Sequence, residues 1–231
     1  MVRILVADDD PFGRRYLEAT LADAGWSVTT VADGLAALDA FNEADPPFDL
    51  ILTDVRMPGL SGIQLIERIR EDDQRTAVIA ISMLGSDAQI LAGLEAGADD
   101  YLTKPLSGPV LLAKVRVALR RADASLLTTE APIEVGGLRL DPTGHTLTRG
   151  GEPVALTRTE LAVVEYLMRN AGRIVSPAQI LSAVWGEAYE LENEVLRTAV
   201  KRVRRKLGDD SRQAELIRTH VGLGYSIGYG G

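Results

Sequence analysis

Four short apolar segments in the first half of the chain each run directly into polar side chains that phosphate chemistry can use. In chain order, these polar side chains are Asp8, Asp9, Asp10, Asp54, Ser82 and Lys104. A cluster of carboxylates favours a hard divalent cation such as Mg²⁺. A metal ion beside the lone Asp54 makes that carboxylate a candidate phosphoryl acceptor, because the cation neutralises charge on the incoming group.

The segments that position these residues alternate with helical patterns, which is typical of parallel strands in βαβ units. We predict strands near 2–8, 27–31, 49–54, 77–82 and 99–102. We predict helices near 11–24, 34–44, 61–71, 86–96 and 107–121. In a doubly wound parallel sheet the carboxyl ends of the strands share one edge, where ligands bind. Residues dispersed over about a hundred positions should therefore converge at that edge.

A simpler explanation exists for some of these residues. The three aspartates at 8–10 could only cap the helix that begins at Pro11, because Asp is a favoured N-cap residue. Lys104 could be a solvated surface lysine. These aspartates and Lys104 are predicted at the same sheet edge as Asp54 and Ser82, which favours the phosphate site. Asp10 is then expected to cap the first helix or to contribute to the charge of the pocket.

Length and composition predict two domains that each have their own core. We place the first at 1–121, a linker at 122–132 and the second at 133–231. The chain has no cysteine, which excludes disulfides, thiolate metal sites and a cysteine nucleophile. Neither a signal-peptide pattern nor an apolar window long enough to span a bilayer is found, so we expect a cytoplasmic protein without a membrane partner.

The second half predicts a winged helix, an α+β fold. Short β-prone pieces near 133–135, 138–140, 145–148 and 153–156 indicate an antiparallel meander. Helical patterns follow near 158–170, 177–184 and 193–207, and a glycine-tipped hairpin is predicted over 216–227. Thr157 with Glu160, and Ser176 with Gln179, fit capping boxes at the first two helix starts.

Charge is distributed unevenly around the total of −8. Residues 1–122 carry 19 acidic and 12 basic residues, whereas residues 123–231 carry 14 and 13. The segment 194–207 holds six basic residues against Glu194 alone, which favours a polyanionic partner. A solvated surface face is the alternative for this helix.

A helical wheel assigns the residues of this segment to faces. The apolar stripe, expected to face the core, is Leu196, Val200, Val203 and Leu207. The opposite side carries Thr198 and Arg202, which we predict to contact base edges in a DNA major groove, with Arg205 and Lys201 as further candidates. Arg197, Arg204 and Arg218 are predicted to contact phosphates, which position a protein without specifying sequence.

Together these features resemble the OmpR/PhoB family of two-component response regulators, over nearly the whole chain. The motifs that carry the resemblance lie at 8–10, 53–59, 82, 97–105, 156–161, 184–186, 204–207, 217–219 and 222–225. The resemblance implies a flavodoxin-like receiver of strand order 2-1-3-4-5, followed by a winged helix-turn-helix domain. It implies a transcription regulator and not an enzyme, with a sensor histidine kinase and double-stranded DNA as partners; contact with RNA polymerase is also compatible with it.

The resemblance also assigns roles at the phosphate site. Asp54 would accept the phosphoryl group, and Mg²⁺ would be held by Asp9, Asp54, the backbone carbonyl of Arg56 and, through water, Asp8. Lys104 and Ser82 would contact the phosphoryl oxygens. Ser82 and Tyr101 would form the switch, the hydroxyl moving toward the phosphoryl group and the aromatic ring turning inward.

Relatives dimerise through the fourth helix, fifth strand and fifth helix of the receiver, and a dimer would bind tandem half-sites. The residues expected at this interface are Ile90, Glu95, Asp99, Asp100, Val110 and Lys114. Ile90 and Val110 stand where charged residues are usual, and Lys114 lacks the fork of the usual arginine. We therefore predict an interface that is more apolar and less ionic than in relatives.

Two rival functions remain open at this point. One is a DNA-binding regulator whose receiver is a fixed dimerisation module that needs no phosphorylation. The other is an aspartate-based phosphohydrolase, which usually has a second Asp two residues after the nucleophile. Position 56 is Arg in this chain, which disfavours the hydrolase.

Overall fold

The computed structural model describes residues 1–83, 87–123, 131–209 and 216–228. The chain divides into two compact units, Met1–Ala122 and Asp123–Gly231. Most of the predicted linker 122–132 lies outside the described residues, which leave out 124–130.

The first unit is a five-stranded parallel sheet flanked by helices. Its strands are β1 (Arg3–Ala7), β2 (Ser27–Val31), β3 (Leu50–Asp54), β4 (Ala77–Met83) and β5 (Asp100–Lys104). Its helices are α1 (Pro11–Asp23), α2 (Gly34–Asn42), α3 (Gly62–Asp72), α4 (Asp87–Ala96) and α5 (Gly108–Asp123). The strand order is β2-β1-β3-β4-β5, which confirms the predicted doubly wound topology.

Sequence patterns explain why this unit folds as it does. The inner strands β1, β3 and β4 are almost entirely buried, as expected for a sheet covered on both faces. Leu17 and Leu21 of α1 and Leu111 and Val115 of α5 pack into the same core cluster as alternate strand residues. Asp10 accepts hydrogen bonds from Phe12 N and Gly13 N and so caps α1.

Strand register brings the predicted site residues to one edge. Asp54 at the end of β3 is the partner of Ile81, so Ser82 lies one residue further along β4. Lys104 at the end of β5 is the partner of Met83. The polar residues therefore emerge from adjacent strands at the carboxyl edge of the sheet, as predicted.

The second unit begins with an antiparallel meander and continues with helices and a hairpin. Its meander is β6 (Ile133–Val135), β7 (Leu138–Asp141), β8 (Thr146–Arg149) and β9 (Glu152–Val154). The helices are α6 (Arg158–Arg169), α7 (Pro177–Val184) and α8 (Asn193–Leu207), with a 3₁₀ turn at Glu187–Tyr189. The hairpin pairs β10 (Ile217–His220) with β11 (Gly224–Ile227). Both predicted capping boxes are present, which confirms those helix starts.

The hairpin, here called the wing, is fixed to the segment that precedes α7. Val175 and Tyr225 exchange backbone hydrogen bonds of 2.8 and 2.9 Å. Gly224 has φ of +140°, and a Cβ there would lie 2.0 Å from the Val175 carbonyl oxygen. Only glycine allows this close approach, so the base of the wing has a defined position.

Each unit contains one of the two tryptophans of the chain. Trp26 packs, partly buried, against the core of the first unit. Trp185 at the end of α7 is fully buried in the second. No helix in the described ranges is both long and apolar enough to cross a membrane.

Candidate functional site

Three carboxylates meet at the carboxyl edge of the sheet. Asp8, Asp9 and Asp54 each offer an oxygen, and these oxygens all lie within 4.8 Å of one another. Asp8 is fully buried, Asp54 is largely buried and Asp9 is exposed, so the cluster is open to solvent on one side. Mg²⁺ favours sites of this kind, in which a few carboxylates bind the ion and water molecules occupy its remaining coordination positions.

Lys104 supplies the cation of this cluster. Its Nζ lies 2.5 Å from Asp54 Oδ2 and 2.9 Å from Asp8 Oδ2. Burial raises the pKa of Asp8, and the hydrogen bond from Lys104 offsets this only in part. Burial acts to lower the pKa of Lys104, but hydrogen bonds to Asp54 and Asp8 outweigh it, so that pKa is raised and the amine stays charged.

Main-chain groups orient the carboxylates. Arg56 N donates to Asp54 Oδ1 at 2.8 Å, and Asp10 N donates to Asp8 Oδ1 at 2.9 Å. Arg14 of α1 donates from Nη1 to the carbonyl oxygens of Asp8 and Asp9 at 2.6 and 3.0 Å. Sequence reasoning missed Arg14, although its position one turn after a carboxylate cluster was a usable signal.

Ser82 places a hydroxyl at the same edge. The residue is 2 % exposed, and its Oγ has no hydrogen-bond partner within the described part of the chain. A buried hydroxyl is costly unless a partner satisfies it, and at this edge of the sheet an oxygen atom of a ligand would be such a partner.

Gly62 is a second residue that sequence reasoning missed. A Cβ at this position would lie 1.9 Å from the Asp54 carbonyl oxygen. The start of α3 can therefore pass directly beneath the strand that carries Asp54 only because residue 62 has no side chain. The Ser61–Gln64 capping box at this helix start could have drawn attention to it.

Tyr101, the predicted switch aromatic, is half-buried on β5. Lys114 Nζ lies 5.0 Å from the centre of its ring, a cation–π distance. The same Nζ lies 2.9 Å from Asp100 Oδ1. Lys114 thus connects the aromatic ring to an acidic residue of the same strand.

The basic helix α8 presents a different face from the one predicted. Val195, Leu196, Val200, Val203 and Leu207 are buried, in line with the predicted apolar stripe. Thr198 and Arg202 are also buried, at 5 and 6 % exposure, so the prediction that they lie on the outward face is wrong. The exposed residues of the helix are Asn193, Glu194, Arg197, Lys201 and Arg205.

The error has a physical cause in a buried carboxylate of α6. Arg202 Nε lies 2.8 Å from Glu160 Oε1, and Lys206 Nζ lies 2.7 Å from Glu160 Oε2. A hydropathy wheel treats arginine as outward-facing, whereas a buried partner of opposite charge turns it inward.

Arg204 has a structural partner as well. Its Nε and Nη2 donate to the Ile217 carbonyl at 3.0 and 2.6 Å, and Nη2 also donates to Thr219 Oγ1 at 2.9 Å. These bonds join α8 to the wing. Arg197 forms an exposed ion pair of 2.7 Å with Glu194, and Arg218 of the wing is half-buried.

Comparison with known proteins covers both units. Residues 4–116 match the family model described as response regulator receiver domain, and residues 151–227 match that of the transcriptional regulatory protein C terminal. The probable transcriptional regulatory protein TcrX of Mycobacterium tuberculosis is 33 % identical over 226 residues, covering 98 % of this chain and 95 % of TcrX. The chain belongs to the OmpR/PhoB family of response regulators. Its predicted role as a two-component transcription regulator is confirmed.

A second curated relative and two solved structures align with nearly the whole chain. The transcriptional regulatory protein AfsQ1 of Streptomyces coelicolor is 36 % identical over 227 residues, covering 98 % of each chain. The solved structure of DrrB, a Thermotoga maritima OmpR/PhoB homologue, is 31 % identical, with a TM-score of 0.51 over 98 % of this chain and 99 % of DrrB. The solved structure of a RitR mutant is 24 % identical with a TM-score of 0.78 over the whole of both chains, which shows a shared fold.

In this response regulator, two of the acidic residues predicted at the dimer interface are not on the surface. Asp99 is 4 % exposed and pairs with Arg70 at 2.9 Å, and Asp100 is 2 % exposed and pairs with Lys114. The prediction that they present carboxylates to a second copy is therefore wrong, because partners within the chain neutralise them. Glu95 and Val110 are exposed and Ile90 is half-buried, as an interface would require.

Proposed function

We propose that Asp54 of this response regulator accepts a phosphoryl group from a sensor histidine kinase and thereby controls DNA binding. The observation that carries the proposal is the contact of 2.5 Å between Lys104 Nζ and Asp54 Oδ2 beside two further carboxylates. A carboxylate accepts phosphoryl groups only where cations balance the negative charge that gathers around it.

The residues present fit a resident Mg²⁺. Asp9 and Asp54 would ligate it directly, Asp8 through water, and the backbone carbonyl of Arg56 would complete the protein ligands. Three carboxylates balanced by one lysine leave a net negative pocket that a divalent cation suits. Bound Mg²⁺ would neutralise charge on the phosphoryl oxygens.

The transfer itself moves one phosphoryl group between two side chains. The N–P bond of a phosphohistidine on the kinase breaks as an O–P bond to an Asp54 carboxylate oxygen forms, and the histidine nitrogen keeps its electron pair. Lys104 holds the Asp54 carboxylate before transfer and contacts the phosphoryl oxygens after it. Ser82, whose hydroxyl has no partner within the described part of the chain, donates a hydrogen bond to the new group.

The switch follows from the same hydroxyl. Movement of Ser82 toward the phosphoryl group opens space that the half-buried ring of Tyr101 fills. Lys114 contacts both Tyr101 and Asp100, so the position of the ring is coupled to the surface formed by β5 and α5.

Two receivers associate through α4, β5 and α5, using Ile90, Glu95, Val110, the half-buried Lys114 and the neighbouring Leu91. Leu91 and Val110 are 37 and 48 % exposed, which supports an apolar contact. The dimer places two α8 helices on tandem half-sites of double-stranded DNA in the cytoplasm, where RNA polymerase is a further partner. When one winged helix of the dimer binds its half-site, the other is held at a high effective concentration near the second half-site, so the dimer binds more tightly than either domain alone.

On each half-site the proposed contacts come from the exposed face of α8. Arg197, Lys201 and Arg205 contact the major groove and its phosphates, and Arg218 contacts phosphate from the wing. Thr198 and Arg202 no longer belong to this set because they are buried, and Arg204 no longer belongs to it because its guanidinium hydrogen-bonds the wing.

Incubation of the full chain with acetyl phosphate and Mg²⁺ tests the proposal. Intact-mass spectrometry should detect one added phosphoryl group on the native chain and none on Asp54→Asn. Asp39→Asn, on α2 and outside the carboxylate cluster, is the matched control and should behave like the native chain. Beryllofluoride should then raise dimer content and DNA affinity of the native chain.

Two results would contradict the proposal. Phosphorylation that survives in Asp54→Asn would place the acceptor elsewhere. A native chain whose oligomeric state and DNA affinity do not respond to beryllofluoride would favour the rival in which the receiver is a fixed module.

A further inference from the structure

A buried carboxylate in the second unit faces two cations of the DNA-binding helix. Glu160 is 0 % exposed, although glutamate is almost never fully buried unless it is paired. It lies in the first turn of α6, where the helix dipole also favours negative charge. Its carboxylate is therefore a fixed negative charge in the interior of this unit.

Both oxygens of Glu160 contact α8. Oε1 lies 2.8 Å from Arg202 Nε, and Oε2 lies 2.7 Å from Lys206 Nζ. Arg202 and Lys206 are four residues apart and so lie on one side of α8. A single carboxylate thus contacts two successive turns of the helix.

The same carboxylate is tied to its own helix start. Thr157 N donates to Glu160 Oε2 at 2.8 Å, and Glu160 N donates to Thr157 Oγ1 at 3.3 Å. The capping box restrains the Glu160 side chain through Oε2, the same oxygen that Lys206 contacts. The ion pairs are therefore made by a group that cannot follow α8 if that helix rotates.

The consequence concerns which side of α8 reaches solvent. The buried apolar stripe and the hydrogen bonds from Arg204 to the wing set the approximate rotation of α8, and the pairs with Glu160 add a restraint on the side of the helix that faces α6. Arg202 and Lys206 face α6, and the outward face is then formed by Arg197, Lys201 and Arg205.

We propose that Glu160 is a positioning residue for DNA recognition, which fixes the rotation of α8 by binding Arg202 and Lys206. This rests on the proposed function, in that the exposed face of α8 is the surface that binds DNA. Glu160 itself does not touch the nucleic acid. Loss of its charge lets α8 rotate, so base contacts suffer more than the phosphate contacts that carry non-specific affinity.

The experiment uses the full chain with Mg²⁺ and beryllofluoride and a random library of DNA duplexes. The native chain first enriches a preferred sequence, and the ratio of its affinities for that duplex and for a shuffled duplex is then measured at fixed salt. A stoichiometric titration gives the active fraction, so each affinity refers to folded protein only.

Glu160→Gln keeps an amide oxygen for the capping box and removes the charge. Its affinity ratio should fall about tenfold, the equivalent of one lost base contact, and it should enrich a less defined sequence. Glu165→Gln is the control, because Glu165 lies on the same helix in an ion pair with Arg169 at the surface. It should keep both the ratio and the sequence.

If Glu160→Gln does not fold, variants of Arg202 test whether the charge pair positions α8. Arg202→Lys keeps a cation for Glu160 and should retain the native sequence preference, whereas Arg202→Met should lose it. If Arg202→Met keeps the native preference, or if Arg202→Lys loses it, the charge pair with Glu160 does not position α8 and the proposal is overturned.

A folded Glu160→Gln with the native ratio and sequence also overturns it. If the proposed function itself is wrong and α8 does not bind DNA, the native chain will enrich no sequence, and this result differs from either outcome above.

Discussion

Lys104 Nζ contacts two carboxylates at once, Asp54 Oδ2 at 2.5 Å and Asp8 Oδ2 at 2.9 Å. The amine therefore neutralises repulsion between two acids that stand at the carboxyl ends of different strands, β1 and β3. Lys104→Gln should destabilise the protein by about 1–3 kcal/mol, less than a fully buried broken pair because part of the Lys104 side chain reaches solvent.

Urea denaturation of the receiver transition measures this effect. Addition of Mg²⁺ should restore much of the lost stability, because a divalent cation replaces the missing charge. Arg116→Gln, at an exposed position of α5 in the same unit, serves as the control and should change stability by less than about 0.5 kcal/mol. Equal stability of Lys104→Gln and the native chain would contradict the prediction.

Magnesium should stabilise the native chain through the carboxylate cluster. Binding to the folded state alone adds about 2.7 kcal/mol when the ion is at a hundred times its Kd. Asp9→Asn should lose most of this gain, whereas Asp10→Asn should keep it, because Asp10 caps α1 and Asn is an equally good cap. Thermal unfolding across a Mg²⁺ series gives the comparison, and equal responses of the two variants would argue against Asp9 as a ligand.

Ser82→Ala should separate stability from signalling. The Ser82 hydroxyl is buried with no partner in the described chain, so its removal should leave stability unchanged or raise it slightly. The gain in DNA affinity on addition of beryllofluoride should nevertheless shrink severalfold. Ser82→Thr should keep that gain, and a response from Ser82→Ala as large as the native one would exclude the hydroxyl from the switch.

The tip of the wing should contribute affinity that does not depend on salt. Val221 and Leu223 are 95 and 61 % exposed, and the adjoining turn carries no lysine or arginine. Replacement of both by Ser should lower DNA affinity severalfold at every salt concentration. Arg205→Gln should instead reduce the slope of log K against log salt by about one. A wing variant whose slope changes would indicate that it disturbs phosphate contacts.

The receiver dimer should tolerate salt. The proposed surface includes Leu91 and Val110, whereas Asp99 and Asp100 are neutralised inside the chain. Sedimentation of the beryllofluoride form should therefore show little dissociation as salt rises, and Val110→Glu should weaken the dimer at low and high salt alike. Steep dissociation of the native dimer with salt would indicate an ionic interface.

Sequence patterns predicted the elements of both units because their signals are local. Alternating apolar runs, Gly and Pro punctuation, and capping boxes such as Thr157 with Glu160 each act within a few residues. The convergence of Asp9, Asp54 and Lys104 was also predictable, since parallel strands must place their ends at one edge.

The errors arose where a partner distant in sequence determines the environment. Arg202 is buried because Glu160, 42 positions earlier, supplies a charge that no helical wheel contains. Asp99 is buried because Arg70, on α3, reaches it together with the Gly97 carbonyl. Gly62 matters only because the start of α3 passes close to the end of β3, and no local sequence pattern indicates that contact.

The placement of one tryptophan in each unit makes the two halves of the chain optically separable. Indole emission from Trp26→Phe reports only on Trp185, which is fully buried in the second unit. The converse variant, Trp185→Phe, leaves Trp26 to report on the receiver. Fluorescence melts of these two variants would reveal whether the halves lose their structure together or one after the other.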